Sequence, residues 1–181
     1  MEGMSAFRKM TTKAGKTDEW YTPEYAVRML ARYVKGGTVW CPFDKHESMF
    51  VKVLSELGCD VICSHIENGG DFFKITPPEC DMIISNPPYS LRDQVLDRLY
   101  EIGKPFAMLL SSLGICEGRR HRMFSSHGVQ FLIPNRRIRY SNPNTNTNKK
   151  SAPAFQSWYV CWRLLPNDIE LVDVSEIGEL K

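Results

Sequence analysis

Asn86-Pro87-Pro88-Tyr89 follows directly on the apolar run Asp81 to Ser85 and joins an amide, two rigid peptide links and an aromatic ring within four residues. Asn86 and Pro87 each precede a proline, so both are driven into extended backbone and the carbonyls of the turn point in fixed directions. The Asn86 amide oxygen and the Pro87 carbonyl are two acceptors suited to one amino group, and Tyr89 offers a stacking face for a planar ring. That set fits methylation of an aromatic amine. The lone pair of an exocyclic amine is delocalised into its ring, and two fixed acceptors favour a more tetrahedral nitrogen able to attack a methyl sulfonium. Holding the two reactants in line is then the main task, and no side-chain nucleophile is needed. Pro-Pro is common in plain loops, so the weight lies on the position of the motif after a buried strand.

The elements expected to hold this turn are read from hydrophobic spacing. Thr22-Pro23-Glu24 has the residues of a helix start, with Thr22 as cap, and that helix should run to about Val34 before Gly36-Gly37. Thr38 to Cys41 reads as a strand, and Met49, Phe50, Val53, Leu54 and Leu57 recur at helical spacing before Gly58. Val61 to Ile66 and Asp81 to Ser85 give further strands; Ser90 is expected to cap a helix with Leu91, Val95, Leu99 and Ile102 on its inner face. Pro105 to Ser111 is a buried strand, 117 to 127 a basic helix, and Val129 to Ile133, Ser157 to Leu165 and Ile169 to Val174 are strands. This alternation predicts an α/β fold with a mostly parallel sheet of about seven strands and helices on both faces. In such sheets ligands sit beyond the carboxyl ends of the strands, where Asn86 stands.

A chain of 181 residues with 43% hydrophobic and 24% charged residues is ordinary for one globular domain. Residues 1–17 read as a flexible lead and 18–181 as a single domain, with the loop 135–157, polar and rich in Asn and Thr, as the target-recognition segment. No apolar run reaches the roughly 18 residues that span a bilayer, and the amino end has no signal core, so a cytoplasmic protein is expected. The six cysteines form no C-x-x-C pair and no histidine pair has zinc-like spacing, so no disulfide framework and no metal site are expected. The formal charge is +2, yet Ile115 to Lys150 holds eight Lys/Arg against one acid, Glu117. Such a segment can neutralise phosphates; Arg136, Arg137, Arg139, Lys149 and Lys150 are its expected nucleic-acid contacts.

From Asp18 to about Leu165 the sequence resembles the amino-methyltransferases that use S-adenosylmethionine, specifically small phage-type DNA adenine-N6 methyltransferases. DEWYTPEYA is similar to the N-terminal motif of that family, which implies that Trp20, Tyr21 and Thr22 contact the methionine part of the cofactor. CPFDKHESMF resembles its cofactor loop at Pro42 and Phe43. Cys41 stands where the family has an acid, and Lys45 and Glu47 stand where it has glycines. Asp44 or Glu47 would then meet the cofactor ammonium. His65-Ile66-Glu67 occupies the place of the ribose-binding acid, and Asp71 and Phe72 that of the Asp-Phe segment on the cofactor adenine. Phe155, in PAFQSW, falls where the family packs an aromatic on the flipped base.

The resemblance thus implies a Rossmann-like methyltransferase fold and S-adenosyl-L-methionine as cofactor. Asn86, Pro87, Pro88 and Tyr89 become the catalytic turn, with DNA as substrate in a bacterial or phage-infected cell. The family order usually includes a separate recognition domain, so sequence reading is expected from the basic stretch, a second copy or a partner protein. The same turn also serves methyltransferases of RNA and of protein glutamine. The missing glycines leave open a non-catalytic nucleic-acid or protein-binding module on the same fold. Nucleotidyl transfer is weaker, because no phosphate-cradling glycine loop is present.

Overall fold

The computed structural model describes residues 21–140 and 155–177. The expected lead 1–17, Trp20, Lys149, Lys150 and residues 141–154 of the recognition loop lie outside the described residues.

Seven short apolar segments form one sheet: β1 Thr38–Cys41, β2 Asp60–Cys63, β3 Met82–Ser85, β4 Phe106–Ser111, β5 Gln130–Pro134, β6 Ser157–Trp162 and β7 Ile169–Val172. Their spatial order is β2-β1-β3-β4-β6-β5-β7. β2, β1, β3 and β4 are parallel to their neighbours, as are β5 and β7, while β6 runs antiparallel between β4 and β5. The expectation of a mostly parallel seven-stranded α/β sheet therefore holds. The reversal of β6 matters for the site: the register Ser111↔Ser157 brings the start of β6 to the same edge as the ends of the parallel strands.

Successive strand residues enter opposite cores, as the pleat requires. Val39 and Cys41 of β1, Ile84 of β3, Ala107 and Leu109 of β4, and Tyr159 of β6 share one core with α1 Glu24–Arg28 and α2 Met49–Glu56. Trp40, Ile83, Phe106, Met108, Leu110 and Val160 share the other with α3 Arg92–Ile102 and α4 Gly118–His127. Burial on both faces explains why β4 is apolar at nearly every position rather than alternating.

Three local expectations are corrected. The first helix is regular only over Glu24–Arg28. Beyond it Leu30, Ala31 and Tyr33 donate to carbonyls three residues back, so the chain reaches Gly36 through tight turns. Pro23, not Thr22, is its N-cap, and no side chain caps it. Ser90 does not cap α3, because Leu91 N–H bonds the Pro88 carbonyl and a 3₁₀ turn over Tyr89–Leu91 delays the helix start to Arg92. β2 is shorter than expected, ending at Cys63, and a 3₁₀ turn over Ile66–Asn68 follows. Among the described residues no helix is long and apolar enough to cross a membrane, and no three His, Cys, Asp or Glu are grouped to hold a metal ion.

Candidate active site at the strand ends

Asn86 follows the last residue of β3, at the carboxyl edge of the sheet. Its Nδ2 donates to Thr22 Oγ1 at 3.2 Å, so the hydroxyl read from sequence as a helix cap instead orients the amide. Its Oδ1 is buried and has no hydrogen-bond partner among the described residues. A buried unpaired acceptor costs about 1–3 kcal/mol, so a native one calls for a reason such as a ligand that supplies the donor.

Below Asn86, the Ser85 hydroxyl donates to the carboxylate of Asp44. The Asp44 N–H donates to the Ser64 carbonyl at 3.2 Å, and Ser64 N–H to the Cys41 carbonyl at 3.0 Å. One residue thus ties together the ends of β1, β2 and β3. Burial raises the Asp44 carboxyl to about 6, opposed by the hydroxyls of Ser85 and Ser48. The same carboxylate contributes to the raised thiols of Cys41 and Cys63, where burial is the larger cause.

Asp44, His46, Cys63, Ser64, His65, Asn68 and Gly70 line a cavity of about 170 Å³. That space suits part of a cofactor, such as a ribose or an amino-acid end, against the roughly 300 Å³ or more of a whole ligand pocket. Gly70 closes it: a Cβ there would lie 2.8 Å from Ser64 Cβ and 3.0 Å from His65 N, so only glycine lets the backbones approach. His65 Nδ1 accepts from Glu67 N–H at 3.3 Å, and Glu67 pairs with Lys45 at 2.6 Å. Lys45, standing where the family has glycine, is thereby turned toward Glu67.

The other positions expected to meet a cofactor divide. Pro42 is buried after β1, and Phe43 packs on Phe72 with ring centroids 4.9 Å apart. Phe72 is 2% exposed against Trp40 and Phe73, which makes it a core ring as well as a neighbour of the loop. Asp71 accepts from Phe73 N–H at 3.0 Å and pairs with Lys74 at 2.8 Å. Tyr21 is 54% exposed beside buried Thr22.

On the far side of Asn86, Tyr89 meets Phe155 edge to face at 5.5 Å, a contact that exists because β6 is antiparallel. The Tyr89 hydroxyl also lies 2.9 Å from that of Tyr140 and 3.4 Å from Ser157 Oγ. Tyr140 and Ser157 escaped the sequence reading. The alternation Arg137, Ile138, Arg139, Tyr140 carried a signal for Tyr140, since Ile138 and Tyr140 are buried while Arg137 and Arg139 are exposed. Arg139 N–H donates to the Tyr25 hydroxyl at 2.8 Å, tying this strip to α1. Arg136 is exposed as well. The basic stretch is not uniform: Arg120 is 9% exposed, paired with Asp93 and donating to the Gly114 and Ile115 carbonyls, and Arg119 pairs with Asp97.

No protein-family model matches the chain, and no curated protein does. Among solved structures it is similar to a chain from work on complex assembly and conformational transition of the type I R-M system. The identity there is 11% and the TM-score 0.49, over 92% of this chain and 48% of that one. It is also similar to precorrin-6y C5,15-methyltransferase from Geobacter metallireducens GS-15, at 10% identity and TM-score 0.42 over 81% of this chain and 94% of that one. The chain spans about half the length of the R-M chain. Similarities at this level do not decide a chemistry.

Proposed function

We propose that this protein is an S-adenosylmethionine-dependent methyltransferase acting on the exocyclic N6 amine of adenine in DNA. The single observation that carries the reading is the buried Asn86 Oδ1, unpaired among the described residues, at the carboxyl edge of β3, held by Thr22 in the turn that also carries the Pro87 carbonyl and the Tyr89 ring. The cavity between the ends of β1 and β2, with the Asp44 carboxylate and the close approach at Gly70, fits one end of the cofactor. Bound there, S-adenosylmethionine supplies a methyl group on a sulfonium.

The residues of this chain would then do four things. Asn86 Oδ1 and the Pro87 carbonyl accept hydrogen bonds from the two amine N–H groups and draw the nitrogen lone pair out of the ring, which raises its nucleophilicity. Tyr89, steadied by Tyr140 and Phe155, takes the face of the target ring, which has to leave the duplex to reach it. Thr22 accepts from the amide nitrogen, which leaves the amide oxygen for the amine. Arg136, Arg137 and Arg139, exposed after β5, carry the phosphates. The same turn is compatible with an RNA adenine or a protein glutamine amide; the exposed arginines beside Tyr140 favour nucleic acid. Partner subunits, or a second copy of the chain, would serve target recognition beside these arginines.

The test is label transfer from S-adenosylmethionine to unmethylated DNA, RNA and protein. Label retained on DNA adenine, and lost with Asn86→Ala, is the expected result. Label on RNA or protein alone would reassign the substrate.

A further inference from the structure

Among the described residues Asp44 is the only buried acid, 8% exposed, and it forms no salt bridge with them. Its partners are hydroxyls, those of Ser85 and Ser48. The neighbouring cation, Lys45, pairs with Glu67. The groups that sense the Asp44 charge are the thiols of Cys41 and Cys63 and the phenol of Tyr159, all acids themselves, while His46 and His65 share its cavity. A buried carboxylate without a counter-charge is expensive, and two remedies exist: it keeps a proton, or it receives a cationic ligand. Its carboxyl titrates near 6, so in the free protein at neutral pH the charge is present and unmatched.

We infer, on the methyltransferase reading above, that Asp44 is the docking point for the α-ammonium of the cofactor and supplies by charge the hold that a glycine-rich loop gives by backbone contact. The placement supports this. Asp44 faces a cavity of amino-acid size at the strand ends, with His65, Asn68 and the backbone at Gly70 around it. Ser85 donates to Asp44 and is the chain neighbour of Asn86, so the docking carboxylate is tied to the same strand end that carries the amide meeting the amine. Docking then depends on pH: below about 6 the carboxyl holds its own proton and the ammonium loses its partner.

Calorimetric titration with S-adenosylmethionine, S-adenosylhomocysteine and methylthioadenosine, which lacks the amino-acid end, tests this directly. At pH 8, Asp44→Asn should weaken the first two at least tenfold and leave methylthioadenosine within twofold. At pH 5 the gap between wild type and variant should close. The unaltered protein provides a second route if the variant folds poorly, since it should prefer S-adenosylhomocysteine over its deaminated analogue at pH 8 and lose that preference at pH 5. Equal binding of the first two ligands by wild type and Asp44→Asn, or a wild-type preference unchanged between the two pH values, overturns the inference alone. A loss confined to S-adenosylmethionine overturns it too, because the carboxylate would then face the sulfonium. If the wild type binds none of the three ligands at either pH, the methyltransferase reading falls and this inference with it.

Discussion

Asn86 carries an amide whose two ends meet different fates: the nitrogen is tied to Thr22, and the oxygen is buried with no partner among the described residues. Asn86→Ala removes a loop acceptor rather than core packing, so the fold should persist while turnover drops at least a hundredfold, about 3 kcal/mol of barrier. Single-turnover rates beside a thermal melt would check both halves. Tyr89→Phe tells the ring from the hydroxyl. The ring remains against Phe155, but the bonds to Tyr140 and Ser157 go, so stability should fall by about 1 kcal/mol with turnover nearly unchanged. Chemical denaturation would measure the first and steady-state kinetics the second. At this scale the sequence was legible where chemistry is local, as in Asn86 to Tyr89. It was opaque where partners are distant: nothing near Ser85 announced Asp44, and Thr22 read as a cap because its true partner lies 64 residues away.

The elements were easier to read than their ends. β1 and β4 are apolar because both faces of the sheet are covered, and their runs located them to within a residue. The end of the first helix and the start of α3 were misplaced, since tight turns after Arg28 and the 3₁₀ turn that follows the rigid prolines depend on tertiary packing. The reversal of β6 was likewise invisible in its composition, yet it is what carries Phe155 and Ser157 to Tyr89. The basic stretch separates by element. Arg120, paired with Asp93 and donating to two carbonyls, holds α4 to α3, so Arg120→Ala should destabilise the fold by about 2 kcal/mol by leaving half-buried Asp93 and the Gly114 and Ile115 carbonyls without their donor. Differential scanning calorimetry reads that loss. Arg137→Glu with Arg139→Glu should leave the melt unchanged, weaken DNA binding for every sequence and flatten its dependence on salt. Fluorescence anisotropy across a salt series reads those effects, and an unchanged slope would mean the strip is only a solvated face.

For the molecule as a whole, the ends of β1, β2 and β3 share one buried carboxylate, and this couples stability to pH. Unfolded, an aspartate titrates near 3.9; folded, Asp44 titrates near 6, so between these values the folded protein keeps a proton that the unfolded chain has lost. Stability contributed by this group is therefore present below about pH 4, falls as pH rises to about 6 and stays low above it, a change on the order of 3 kcal/mol. Asp44→Asn should be more stable than wild type at pH 8 and lack that slope, as urea melts at several pH values would reveal. A site that keeps an unmatched charge at the expense of stability is a common signature of function over fold.

Activation of an adenine amine by the Asn86 turn is read at its product by a single-turnover assay with labelled S-adenosylmethionine and unmethylated DNA. Label recovered as N6-methyladenine with the wild-type protein, and at least a hundredfold less with Asn86→Ala at equal DNA binding, is the predicted result. Labelled DNA produced at the same rate by Asn86→Ala, or no labelled adenine from a wild-type protein that binds both cofactor and DNA, would contradict it.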